Sequence, residues 1–365
     1  MMAATTKTDP NAHEWAIDDR VIRLRRWGTG VVYPLPDSGD ESTLGSSATC
    51  SLQIHDPTGQ ISSVHAGLAL TVKGWNVRDL GSKNGLHLDG MRRPAGKLEP
   101  GTELGLGNVV LIAESAQLIA LQGFLARLLG WGEDRRQDVD RALRSVRLAA
   151  AHRGTLVLSG KGELASIAQS LHARALGRDK PFILCDPRRQ RSEGDVRKVT
   201  NYNEPSAALQ AAVGGTLCIV RRRLPSDATA VRDEMRSPRP RVQLIMCVQE
   251  EERSQIDSFF TDPIIIPPLA ERTDELDRII SDYAREATVE LGVTRSVFTD
   301  EDHAWVRAHS AGSLPDIDKG TRRVVALHAS RTPTDAARRL GMAAVSLSRW
   351  FERRGLGIRD PPTCP

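Results

Sequence analysis

The chain has 365 residues, 40% of them hydrophobic and 26% charged, with few aromatics and a net charge of +4. That length allows two or three domains. No run approaches the roughly 18–20 consecutive apolar residues of a membrane-spanning helix, so no membrane association is expected. The first 19 residues lack the basic-then-apolar order of a secretion signal and read as a disordered tail. Five cysteines (Cys50, Cys185, Cys218, Cys247 and Cys364) stand apart with no CxxC pair, three of them in apolar strand-like runs. Buried reduced thiols in a cytoplasmic protein are the expectation, with neither disulfides nor zinc. Charge is uneven: Lys319 to Arg359 holds ten basic residues against two acidic ones, which leaves the remainder at about −4. A basic end on a near-neutral body points to a polyanion-binding module.

Residues 20–116 read as short strands, among them RVIRLRRWG, HAGLALTV and TELGLGNVVLIAE. They are separated by turn-forming pairs such as Asp56-Pro57, Lys73-Gly74 and Asp89-Gly90. Such spacing predicts an all-β sandwich. Within it stand Leu44-Gly45-Ser46, Ser62-Ser63-Val64-His65, Leu80-Gly81-Ser82-Lys83-Asn84-Gly85 and Asp89-Gly90. The order of these motifs resembles the forkhead-associated (FHA) domain, whose members bind phosphothreonine peptides on loops at one end of a sandwich. The resemblance implies that Ser62 and Ser82 donate to phosphate oxygens, that Asn84 holds the peptide backbone and that His65 braces the loop. The family's phosphate-binding arginine is replaced by Ser46, with Lys83 as the nearest substitute charge. A serine offers one neutral hydrogen bond where arginine offers a charged fork. Recognition of a threonine-phosphorylated protein and phosphate-independent recognition therefore both stay open.

From Gln117 to Ala151 the pattern is helical, broken at Gly130-Trp131-Gly132. Strands TLVLSG, PFILCD, GGTLCIV and RVQLIMCV then alternate with helical stretches, which predicts a parallel α/β sheet. This region resembles the AAA+ domain of sigma-54-dependent activators, through Leu156–Gly160, Pro181-Phe182-Ile183, Ala211–Leu217 and IIIPPLAERTDEL ending at Leu276. The functional positions of that family are lost one after another. Ser159-Gly160-Lys161-Gly162-Glu163 is too short for a G-x-x-x-x-G-K-[ST] phosphate loop. Val220 and Arg221 stand in place of the Asp-Glu pair, and Gln249 in place of the sensor asparagine. No arginine precedes Pro263 at the finger position, the nearest being Arg253. Pro315 replaces the lid arginine, and the polar stretch from Asp186 to Glu204 is too short to hold the sigma-54-engaging loop. The expectation is a core with no catalytic residue, no metal and no cofactor, kept for scaffolding or assembly.

The basic end contains Thr332-Pro333-Thr334-Asp335 opening a short helix, Gly341 at a turn and a second helix from about Ala343. Ala337 is small where the helices approach, and Leu340, Val345 and Leu347 are assigned to the core between them. The stretch from Ala336 to Phe351 resembles the Fis-type helix-turn-helix that ends the same activators. The resemblance implies a double-stranded DNA partner, with Ala344, Ser346, Ser348 and Arg349 at base edges and Arg338, Arg339, Arg353 and Arg354 near phosphates.

The expected architecture is multidomain: a disordered tail (1–19), an all-β FHA-like sandwich (20–116) and a degenerate α/β AAA+ domain with leading helices (117–285). A helical lid remnant (286–320) and an all-α helix-turn-helix (321–360) follow. The function this implies is a DNA-binding transcriptional regulator, a homo-oligomer or a co-assembly with an intact activator. An ATP-dependent sigma-54 activator and an interaction scaffold without DNA binding are the alternatives.

Overall fold

A computed structural model describes residues 20–36, 41–186, 199–220, 229–249, 263–294 and 297–355. The expected tail, Arg221, Arg253, Arg359, Cys364 and most of the Asp186–Glu204 gap lie outside the described residues. The chain divides into two compact units. The first runs to Gly154 and also takes Leu171–Asp179; the second takes Thr155–Ser170 and everything from Lys180 onward.

The first unit is a sandwich of two sheets. One sheet joins β1 (Arg23–Arg26), β2 (Val32–Pro34), β7 (Leu86–Leu88), β8 (Met91–Arg92), β10 (Glu103–Leu106) and β11 (Val109–Glu114), in the order β2-β1-β11-β10-β7-β8. The other joins β3 (Ser42–Gly45), β4 (Leu52–Gln53), β5 (Ala66–Thr71), β6 (Gly74–Asp79) and β9 (Ala95–Lys97), in the order β4-β3-β5-β6-β9. Leu24, Leu44, Leu68, Trp75, Leu104 and Leu111 belong to the apolar core of this unit. The Asp89-Gly90 pair closes β7 on β8 with φ of +48° and +79° and Leu88 opposite Met91. Both turn residues having positive φ is what a two-residue type I′ hairpin needs. Gly45 is required for a different reason: a Cβ there would lie 2.1 Å from the Ser63 carbonyl oxygen.

Two helices follow the sandwich in this unit. α1 (Ala116–Leu129) is capped by Ser115, whose hydroxyl accepts from the Leu118 amide, and ends at Gly130 with φ +122°. α2 (Arg136–His152) then returns along the sandwich. Its Asp140 takes two hydrogen bonds from the buried Arg25 of β1 (2.6 and 3.0 Å), while Arg25 Nε donates to Glu114 of β11 at 2.6 Å. Arg144 pairs with Glu103 and lies over the Trp27 ring (4.4 Å), and Arg147 pairs with Asp89. The helices expected to lead the α/β domain thus pack with the sandwich.

The second unit contains a six-stranded, all-parallel sheet. Its strands are β12 (Thr155–Gly160), β13 (Phe182–Cys185), β14 (Thr200–Asn201), β15 (Thr216–Val220), β16 (Gln243–Gln249) and β17 (Ile264–Ile265). They run in the order β14-β13-β15-β16-β12-β17. The central strands are buried nearly throughout, which is why each reads as an unbroken apolar run and not as an alternation. Cys185, Cys218 and Cys247 are buried free thiols in these strands, with the Sγ atoms of Cys218 and Cys247 3.6 Å apart.

Helices α3 (Leu164–Ala175), α4 (Pro205–Ala211) and α5 (Thr229–Arg236) connect these strands. A helical group follows: α6 (Leu276–Glu290), α7 (Asp300–His309), α8 (Leu314–His328), α9 (Pro333–Leu340) and α10 (Ala344–Glu352). The boundaries expected at 285/286 and 320/321 fall inside α6 and α8. Ala287 and Leu291 from the end of α6 share one core with Val325, Ala337, Leu347 and Phe351, so lid and basic end are a single packed body. Among the described residues no helix is long and apolar enough to cross a membrane.

Candidate functional site

Two places hold the residues singled out from the sequence. The first is the end of the sandwich where the loop before β5 meets the loop after β6. His65 is fully buried between them, with its Nδ1 accepting from the Ser62 amide (3.3 Å) and its Nε2 3.1 Å from the Gly85 carbonyl oxygen. Both contacts are satisfied by one neutral tautomer, with the proton on Nε2. Asn84 adds a second weld by donating to the Gln60 carbonyl (2.7 Å) and to the Gln60 side chain (3.1 Å). A third comes from the Lys83 amide, which donates to the Ser62 hydroxyl at 3.0 Å. The loop is further shaped by Asp56, whose carboxylate accepts from the Thr58 hydroxyl and from the amides of Thr58, Gln60 and Ile61. The Thr58 hydroxyl bond, followed by those amides, outweighs desolvation and holds the Asp56 carboxyl down at about 2. Because the folded value lies below the ordinary one, its contribution is present above the normal carboxylate range and is lost as pH falls towards about 2.

The hydroxyls differ from expectation. Ser46 donates to the Ile61 carbonyl (3.1 Å) and its amide to the Ser62 carbonyl (3.0 Å), so it is committed to the loop. The Ser82 hydroxyl is screened from solvent and has no hydrogen-bond partner among the described residues, while its amide donates to Asp79. The half-buried Ser62 hydroxyl accepts from the Lys83 amide and has no acceptor for its own proton among the described residues. Lys83 is exposed beside it. Sequence spacing brings these residues to one corner but does not encode which way a short side chain turns.

The second place is the outward face of α10. Thr332 caps α9 by accepting from the Asp335 amide, with Pro333 in the first turn. Gly341 ends the helix with φ +61°, a left-handed conformation suited to glycine. Ala337 is 2% and Leu347 0% exposed, as the close approach of the two helices requires. Val345 is not part of that core: it is 61% exposed. At about 100° per residue it stands on the opposite side of α10 from Leu347 and Phe351. The exposed face therefore carries Val345, Ser346, Arg349, Glu352 and Arg353, with Ala344 and Ser348 half-buried at its edge. Two of the expected phosphate ligands also make contacts within the unit. Arg339 donates to the Leu291 carbonyl (3.0 Å), and Arg354 lies over Trp350 (4.7 Å). Arg338 is exposed and paired with Asp335 at 2.7 Å.

At the carboxyl ends of β12 and β17, where ligands bind in open parallel sheets, the loop from β12 to α3 is only Lys161–Glu163. Gln249 donates to the Gly162 carbonyl (3.3 Å), and a Cβ on Gly162 would lie 2.9 Å from that of Ser313. Glu163 is paired with Lys319. A cavity of about 350 Å³ beside this loop is lined by Ile167, Ile266, Pro267, Leu276 and Leu314, with Lys161 its one basic residue among those described. Val220 ends β15 where a metal-binding carboxylate is expected of an ATPase, and Pro315 lies in the first turn of α8.

Residues 28–117 match the profile of a family described as the inner membrane component of the type III secretion system (T3SS), cytoplasmic domain. Comparison with curated proteins gives no match. Among solved structures, the chain is similar to the FHA domain of the CT664 protein from Chlamydia trachomatis. That alignment has 24% identity and a TM-score of 0.23, and covers 26% of this chain and 95% of that domain. Similar too are the FhaA FHA domain complexed with the intracellular domain of Rv3910 (21% identity, 25% and 96% covered, TM-score 0.23) and Mycobacterium tuberculosis EmbR in complex with a low-affinity phosphopeptide. The EmbR alignment has 22% identity and a TM-score of 0.23, and covers 26% of this chain and 25% of EmbR.

Proposed function

We propose that the chain is a cytoplasmic, DNA-binding transcriptional regulator. In this reading an FHA-type corner receives a protein partner, and an ATPase-like core has lost its chemistry. The observation that carries it is the α9–Gly341–α10 arrangement, which leaves one helix face free of packing and supplied with Val345, Ser346, Arg349 and Arg353 alongside a single acid, Glu352. Such a face has the size and chemistry to enter a major groove, where arginine reads guanine and an apolar side chain meets a thymine methyl. A single unit of this kind reads only a few base pairs, so a dimer on a palindromic site is the expected arrangement.

Selection of duplexes from a random library by the full chain tests the reading. Enrichment of a palindromic site is expected, with Arg349→Ala weakening it by roughly tenfold, the value of one specific base contact. Failure to enrich any sequence at moderate salt would instead favour an interaction scaffold.

For the core, the three-residue loop after β12 and the apolar cavity beside it support a protein without phosphoryl transfer. That chemistry depends almost wholly on a phosphate cradle and a metal site. Phosphate release from Mg-ATP by the full chain is expected at the level of buffer. Turnover above it that survives repurification would restore the activator reading.

At the sandwich corner, the weld between Ser62, His65, Lys83, Asn84 and Gly85 supports a rigid peptide-binding end of the FHA type. Ser62 and Lys83 are the phosphate contacts in this assignment, with Asn84 on the peptide backbone. The partner is a protein segment, with phosphothreonine an aid to binding and no longer its main source.

A further inference from the structure

Trp350 of α10 carries two guanidinium groups. The Cζ of Arg323, from α8, and that of Arg354, just beyond α10, each lie 4.7 Å from its ring centroid. The indole is held in place by its neighbours. It meets Trp305 of α7 edge-on (5.5 Å, 63°) and Phe351 edge-on (5.3 Å, 76°). The Trp305 indole N–H donates to the Arg354 carbonyl at 3.2 Å, which fixes the backbone that carries the second guanidinium.

Neither Arg323 nor Arg354 forms an ion pair with a carboxylate among the described residues. The contrast with the adjacent Arg322 is direct, since that side chain is paired with Asp318 and Glu290, both at 2.7 Å. Burial, and then the nearby charge of Arg354, push Arg323 below the usual guanidinium range. Two cations gathered on one aromatic ring repel each other in the free protein. An oxyanion held by both would relieve that repulsion and accept forked, charge-assisted hydrogen bonds. Contact with the ring restrains both side chains beforehand, so less rotamer freedom remains to be lost on binding.

We propose that Arg323 and Arg354, both over the Trp350 ring, form a clamp for one phosphodiester group of the DNA backbone. The proposal rests on the DNA-binding reading above. DNA is favoured because Trp350 directly follows Arg349 on the helix whose exposed side is assigned to the groove, and phosphate contacts set the register of such a helix.

The test measures the salt dependence of duplex binding by the full chain and by Arg323→Gln, Arg354→Gln and the double variant. One lost phosphate contact lowers the slope of log K against log salt by about 0.9, and weakens binding by roughly eightfold at 0.1 M salt, equally for all sequences. Each single variant is expected to show most of that change and the double variant little more, because both arginines hold the same phosphate. Arg323→Lys should recover part of the affinity, since it keeps the charge and loses the fork. Urea midpoints should match the unsubstituted chain, which separates a binding role from a packing one. An unsubstituted chain that binds no DNA overturns both this proposal and the reading beneath it. A chain that binds with the same slope before and after substitution overturns the clamp alone. Saturable quenching of tryptophan fluorescence by inorganic phosphate, with the DNA slope unmoved, would assign the pair to a free anion instead.

Discussion

Replacing Arg25 with methionine is expected to lower the stability of the first unit by about 3–5 kcal/mol, the cost of leaving buried charge uncompensated. Arg25 is 4% exposed, Glu114 0% and Asp140 1%. In the intact protein burial disfavours the Arg25 charge, but the Asp140 hydrogen bond and the charges of Glu114 and Asp140 outweigh it and raise the guanidinium above its usual range. Without it, Glu114 keeps only the partly exposed Arg23 (2.7 Å), and Asp140 keeps the Gly28 amide (2.7 Å). Two buried carboxylates would then stand with much of their countercharge removed. Adding Asp140→Asn removes one orphaned charge yet keeps an acceptor for Gly28, so the double variant should recover much of the loss. Urea unfolding followed by hydrogen exchange at β1, β11 and α2 reads all of this. An Arg25→Met protein with an unchanged midpoint would show that α2 is fastened by something else.

This network marks where sequence reading stopped. Along α2, Asp140, Arg144 and Arg147 look like a solvated charged face. Their partners Arg25, Glu103 and Asp89 stand 115, 41 and 58 residues away in the chain, and no local pattern records such pairings. Turn chemistry was legible because it is local: Asp89-Gly90 and Gly341 have positive φ where their residue types predict it. Buried parallel strands were legible for a related reason, as runs such as Leu156-Val157-Leu158 need no partner to be recognised. Val345 was misread because an apolar residue beside Leu347 suggests core, whereas the start of α10 at Ala344 sets the face that turns inward. At the sandwich corner the motif order gathered the singled-out residues in one place. The direction of the Ser46 and Ser82 hydroxyls depended on acceptors in the neighbouring loop.

Those hydroxyl directions set the last expectation, that Ser46→Arg will tighten binding of a phosphothreonine peptide by roughly 10- to 100-fold. The range corresponds to one charge-assisted hydrogen bond, about 1.5–3 kcal/mol. Under the proposed assignment a phosphate would meet the Ser62 hydroxyl and the exposed Lys83 ammonium, while Ser46 donates to the Ile61 carbonyl. Native discrimination between threonine and phosphothreonine should accordingly be small. A guanidinium at position 46 leaves the loop its other welds, from His65 to Gly85 and from Asn84 to Gln60, so the corner keeps its shape while gaining a fork. The gain should be confined to the phosphorylated peptide and fade as salt rises. Calorimetric titration of the full chain with matched threonine and phosphothreonine peptides distinguishes the cases. If Ser46→Arg tightens both peptides equally, the added charge acts at long range and position 46 does not face the phosphate. If it tightens neither while the fold is intact, the corner is an interaction surface of another kind and the peptide must bind elsewhere. If the native chain already prefers phosphothreonine by a hundredfold, Lys83 supplies what the missing arginine does not, and Lys83→Gln becomes the substitution that abolishes recognition.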